Sequence, residues 1–128
     1  MVNDKIILVS DPDDILDDGF RILLFDLDDV QGEIFTRAIT SLDDVHQTVI
    51  YTFRYGQDTN WLLDKYHRAD LIIFNADSLN DLMVGFFAGK RNSYYFGNLK
   101  TLNQVNKSVI YGVDDCRELL LTKYRIYG

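Results

Sequence analysis

Short apolar runs and segments of helical period alternate along most of the chain. KIILV at 5–9, FRILLFD at 20–26, TVIYTFR at 48–54, SYYFG at 93–97 and SVIYG at 108–112 are rich in branched and aromatic residues and predict strands. DLIIFN at 70–75 is almost wholly apolar, the pattern of a strand covered on both faces. Helical periods lie between them. Val30, Ile34, Ala38 and Ile39 mark one face of a helix beginning at Asp29, and Asp58 or Thr59 caps a shorter one through Trp61, Leu62 and Tyr66. Leu79, Leu82, Met83, Phe86 and Phe87 repeat at i, i+3, i+4, i+7 and i+8, and a last helix from Asp114 turns Cys116, Leu119, Leu120 and Tyr124 inward.

Alternation at this spacing predicts an α/β fold. The expected form is a single Rossmann-like, flavodoxin-like three-layer domain over 1–128, with a mostly parallel sheet of five or six strands. One joint is ambiguous: SDPDDILDDG at 10–19, marked by Pro12 and Gly19, suits either a wide hairpin or a loose crossover.

Composition narrows the function classes. One Cys and one Pro exclude a disulfide framework, a Cys-rich zinc module and a Pro-rich linker. No stretch nears the roughly 18 apolar residues of a membrane span, and no apolar run follows a basic start, so a cytoplasmic protein is expected. Residues with AT-rich codons (Phe, Tyr, Met, Ile, Asn, Lys) total 43 against 20 with GC-rich codons (Gly, Ala, Arg, Pro). That skew points to an AT-rich genome, such as many phages and some bacteria possess; a phage origin would place the chain in a host cytoplasm.

The acid is nearly all Asp, 18 against 2 Glu, and it is unevenly placed. Residues 1–29 hold nine Asp against Lys5 and Arg21, a net of −7, whereas 90–128 hold seven bases against Asp114, Asp115 and Glu118, a net of +4. No basic stripe dominates, so nucleic acid is not the expected partner. The dipolar pattern suits a head-to-tail contact between copies, or a basic protein partner. Tyr94, Tyr95 and Phe96, with Tyr111, Tyr124 and Tyr127, suit either core packing or an aromatic interface, and an open sheet edge there points to self-association.

Ligands of open parallel sheets sit outside the carboxyl ends of the strands. Those ends offer Asp26 and Asp28, Arg54, Asn75 with Asp77 and Ser78, Asn98, and Asp114 with Asp115. Converging carboxylates from Asp26, Asp28 and Asp114 would hold Mg²⁺, a hard cation that takes oxygen ligands. The competing reading is helix capping. Apolar-Asp-Asp-apolar recurs at Leu27–Val30, Leu42–Val45 and Val113–Cys116, and Asp is a favoured N-cap.

Two local resemblances sharpen these options. ILLFDLDDVQ at 22–31 resembles the first motif of haloacid-dehalogenase-type phosphatases, an apolar strand ending in Asp-x-Asp. The resemblance implies Asp26 as nucleophile and Asp28 as general acid/base. It also implies Mg²⁺ with Asp114 or Asp115 as a further ligand, Lys90 or Lys100 as the phosphate-binding lysine, and Thr52 as the hydroxyl. No Gly-Thr or Thr-Leu follows the Asp pair here. Residues 69–97 resemble nucleoside 2-deoxyribosyltransferase-type Rossmann-like domains: a strand after Ala-Asp, a polar turn, and a helix with Gly85-x-x-x-Gly89-Lys90 before another strand. Met83 stands where that family carries its nucleophilic Glu. This resemblance implies a nucleotide-binding domain without the glycosidic chemistry, its pocket lined by Asn75, Asp77, Ser78 and Asn98.

Other patterns are incomplete. The Asp11–Gly19 run lacks the sixth-position Gly of a calcium loop, and Gly85–Arg91 is one residue short of a Walker loop. Every catalytic pattern thus misses an essential residue. The leading expectation is a non-catalytic binding, assembly or regulatory protein of phage type, without a cofactor and without a committed catalytic residue. The phosphohydrolase at Asp26 and Asp28 stands as the alternative. Convergence of Asp26, Asp28 and Asp114 would favour the enzyme; an Asp28 that caps the following helix would count against it.

Overall fold

A computed structural model describes residues 6–9, 19–43, 45–54, 66–78, 92–96 and 108–127. In chain order these form β1 (Ile6–Val9), β2 (Phe20–Phe25), α1 (Asp29–Thr40), β3 (Thr48–Phe53) and β4 (Leu71–Asn75). A 3₁₀ turn (Ala76–Ser78), β5 (Ser93–Phe96), β6 (Ser108–Val109) and α2 (Val113–Tyr127) follow. The strands make one sheet in the order β1-β3-β2-β4-β5-β6, and every neighbouring pair is parallel. The fold is therefore α/β with a parallel sheet. Strands β3, β2, β4 and β5 form its buried body, with β1 and the two-residue β6 at its edges.

Parallel pairing resolves the ambiguous joint. β1 and β2 both run parallel to β3, which lies between them, so they are not the two arms of a hairpin. Gly19 closes that connection at φ 108, and its neighbour Phe20 donates to the Gln47 carbonyl at 2.7 Å. The predicted final strand is shorter than 108–112. Ile110 still donates to Tyr95 O at 2.8 Å, but the Tyr111 amide turns to the Asp115 carboxylate at 3.1 Å and α2 begins at Val113.

Each sheet face has its own core. On one, Ile22, Leu24, Ile50, Leu71 and Ile73 meet Phe35, Ala38 and Ile39 of α1 and Cys116, Leu120 and Tyr124 of α2. On the other, Leu23, Phe25, Tyr51, Phe53, Ile72, Phe74 and Tyr95 pack with Tyr66 and Ala69. Of the helix expected through Trp61 to Tyr66, the described residues 66–68 are helical; the segment carrying Leu79–Phe87 lies outside the described residues. Buried on both faces, the central strands can be continuous apolar runs, and each large side chain contributes about 1.5–3 kcal/mol.

The register aligns one aromatic from each body strand. Phe53 pairs with Phe25, Phe25 with Phe74 and Phe74 with Tyr95, a row across four strands at their carboxyl ends. Phe25 and Phe53 stack at 5.0 Å and Phe74 and Tyr95 at 5.7 Å between centroids. Tyr95, Phe96 and Tyr124 are thus core residues, whereas Tyr111 is 77% exposed. The inward face of α1 also differs from the expected Val30, Ile34, Ala38 and Ile39. Gln31, Phe35, Ala38 and Ile39 are buried, and Val30 is exposed. The stripe starts at the buried Leu27 and Gln31, and a polar Gln at its head hides the period.

Candidate functional site

Strand β2 lies between β3 on one side and β4 on the other, so successive connections leave it in opposite directions and a crevice opens between the ends of β2 and β4. Asp26 follows β2 in the left-handed region at φ 50, a conformation its short polar side chain tolerates better than most. Its amide donates to Phe53 O at 2.7 Å. Asp28 is the N-cap of α1: its Oδ1 accepts from the Gln31 amide at 2.8 Å, while Gln31 Oε1 accepts from the Asp28 amide at 3.1 Å. This reciprocal capping box satisfies two amides that the first helical turn leaves open.

The same glutamine reaches on to β4. Gln31 Nε2 donates to Asn75 Oδ1 at 3.3 Å, and Asn75 Nδ2 donates to the Asp26 carbonyl at 3.1 Å. Asn75 Oδ1 accepts a second bond from the Asp77 amide at 3.1 Å. Both acceptor sites of that amide oxygen are therefore used, and both side chains are buried. The network bolts the end of β2, the start of α1 and the end of β4 into one unit.

This geometry corrects one expectation. Asp28 does not join Asp26 and Asp114 in a metal site: among the described residues no three His, Cys, Asp or Glu side chains come together to hold an ion. Asp114 lies in the first turn of α2, beyond an edge strand, and pairs with Arg117 at 3.0 Å. Asn75, an expected pocket residue, accepts two hydrogen bonds at its oxygen and donates one from its amide nitrogen within the protein. Asp77 is exposed in the 3₁₀ turn, Ser78 ends that turn, and Asn98, Lys90 and Lys100 lie outside the described residues, as do the acidic run 11–18 and Met83. Among the described residues of the three Asp-Asp pairs, only Asp28 of the first is a helix N-cap. Asp43 follows α1, and Asp114 and Asp115 sit inside the first turn of α2. Asp26 is the exception in the crevice: among the described residues its half-buried carboxylate has no hydrogen-bond or ion-pair partner. The residue missed from sequence is Gln31, although Asp28-x-x-Gln31 carries the capping-box spacing.

A second concavity lies on the α1 side of the sheet, toward the β1 edge. Helix α1 joins β2 to β3 and packs over them, leaving Ile6 and Leu8 of β1 beside it. The resulting cleft, about 330 Å³, has a floor of Ile6, Leu8, Leu24, Phe35, Ile39 and Ile50. Asp28, Asp29, Thr52 and Arg54 stand along its rim. Leu8 is 72% exposed, well beyond what an isolated core residue shows. Thr52, the hydroxyl implied by the phosphatase resemblance, belongs to this cleft.

Comparison with known proteins adds no assignment. No family model matches the chain, and no curated protein sequence matches it, so both resemblances rest on their motif residues alone.

Proposed function

We propose that the chain is a non-catalytic binding or assembly protein on a Rossmann-like, flavodoxin-like scaffold, with a protein as its partner. The order β3-β2-β4-β5-β6 has the doubly wound pattern 2-1-3-4-5, with β1 added at one edge. The observation that carries the reading is how the crevice polar groups are used. Asp28, Gln31 and Asn75 close on one another and on the backbone. Exposed large apolar side chains lie elsewhere, at Leu8 in β1, Val30 on α1, Tyr111 after β6, and Ile126 and Tyr127 at the end of α2. Among the described residues no helix is long and apolar enough to cross a membrane, in keeping with a partner met in water.

One observation favours a second reading, the Mg²⁺-dependent phosphohydrolase. Asp26 sits at the switch point in a strained conformation, its carboxylate without a partner among the described residues, as a nucleophile would. A phosphatase assay on p-nitrophenyl phosphate with Mg²⁺ separates the two. Binding function predicts no turnover above buffer and no thermal stabilisation by nucleotides. Mg²⁺-dependent turnover that disappears in Asp26→Asn, a variant that keeps the left-handed conformation, would replace the binding reading.

A further inference from the structure

Resting on that reading, we infer that the partner is a second copy of this chain, whose α2 C-terminal turn docks in the cleft between α1 and β1. The two surfaces differ in shape and in charge. The cleft is concave, apolar at Leu8 and Ile6, and carries Asp28 and Asp29 on its rim against one base, Arg54. The end of α2 exposes Ile126 at 75% with Arg125 exposed beside it, while Tyr127, 47% exposed, packs its ring against Phe20 and His46. Ile126 is an exposed aliphatic side chain, and the cleft, about 330 Å³, is large enough to receive it.

Charge points the same way. The rim bears Asp28 and Asp29 against Arg54, while Lys123 and Arg125 lie in the last turns of α2, past its acids Asp114, Asp115 and Glu118. Opposite fields steer the cleft of one copy toward the helix end of another, and they weaken as salt rises. Cleft and helix end are different surfaces of one chain, so the contact is heterologous and each copy offers one of each.

Sedimentation velocity over a range of protein concentrations tests the contact, with Leu8→Asp and Ile126→Asp as single-face variants. The wild-type chain is expected to associate at about 0.1 mM and to do so at least tenfold more weakly in about 0.5 M salt. Each variant alone is expected to be monomeric. An equal mixture of the two is expected to associate again, because each retains the face the other lacks. Arg125→Glu, at an exposed position, should weaken association without changing the melting temperature, which covers a variant that fails to fold. A monomeric wild-type chain, or a mixture that stays monomeric while both variants are folded, overturns the inference. Neither result bears on the phosphatase assay, so the docking contact and the binding reading fail separately.

Discussion

At the residue scale, Gly19 and Cys116 have the firmest consequences. A Cβ on Gly19 would fall inside contact distance of the Gln47 carbonyl oxygen, which belongs to rigid backbone, and φ 108 is strained for any L side chain. Gly19→Ala is therefore expected to destabilise the fold by about 1–3 kcal/mol, read as a lower urea midpoint. Cys116 is fully buried on α2, and burial, with the nearby Asp115 charge, pushes its thiol up to about 12. A thiol-reactive disulfide reagent should leave native protein unlabelled at pH 8 and label one thiol per chain in urea. Rapid native labelling would contradict the packing of α2.

At the element scale, two polar contacts hold helices to the sheet. Thr48 Oγ1 donates to His46 O at 2.7 Å, so the 2.6 Å contact with Tyr124 is donated by the phenol. That bond pins the last turns of α2 beneath β3, beside the rings of Phe20 and His46. Tyr124→Phe is expected to cost about 1 kcal/mol, measured by chemical denaturation. The α1 capping box is the second contact. Gln31→Ala removes a cap and leaves Asn75 Oδ1 short of a donor, so about 1–3 kcal/mol is expected, more than for Asp28→Ala alone. A double-mutant cycle of Gln31→Ala with Asn75→Ala should show coupling, since the two share one hydrogen bond. Additive losses would mean that the bracket is not a unit.

At the scale of the whole molecule, alkaline pH is the expected weakness. Burial raises Cys116, and it raises Tyr66 and Tyr124 as well. Each group is neutral when protonated and has a higher folded than unfolded pKa. The unfolded chain therefore loses its protons first. The stability these groups contribute is complete below their unfolded values and is lost as pH rises above about 9, with a limiting slope near 1.4 kcal/mol per pH unit for each. Thermal melts from pH 7 to 11 should fall steadily past that point. A flat profile would mean that these groups are not buried as described.

Much of this architecture was legible because it rests on local pattern. Apolar runs bounded by Gly, Asn and Asp predicted the strands to within a residue or two, apart from β6, and helical periods placed α1 and α2. Legibility failed where a polar residue does a core residue's work. Gln31 heads the buried stripe of α1, so the period pointed to Val30, which faces solvent. Asp28 and Asn75 are residue types that serve capping, brackets and ligands equally, and spacing alone does not separate those uses.

The amino-acid sequence by itself determined the class of fold and its apolar faces, because periods of two and 3.6 residues force particular side chains out of water wherever the elements end up. It also determined the charge asymmetry between the two ends of the chain. Only the tertiary structure decided which strand ends adjoin, and with them what the polar residues do. Strand order brought β2 beside β4, and that adjacency made Asp28, Gln31 and Asn75 parts of one bracket. Strand order also set β1 outside the cover of α1, leaving an apolar cleft that no local pattern could reveal. Hydrogen bonds act over about 3 Å, and neighbours that close across many residues of sequence are chosen by the packing of the whole sheet.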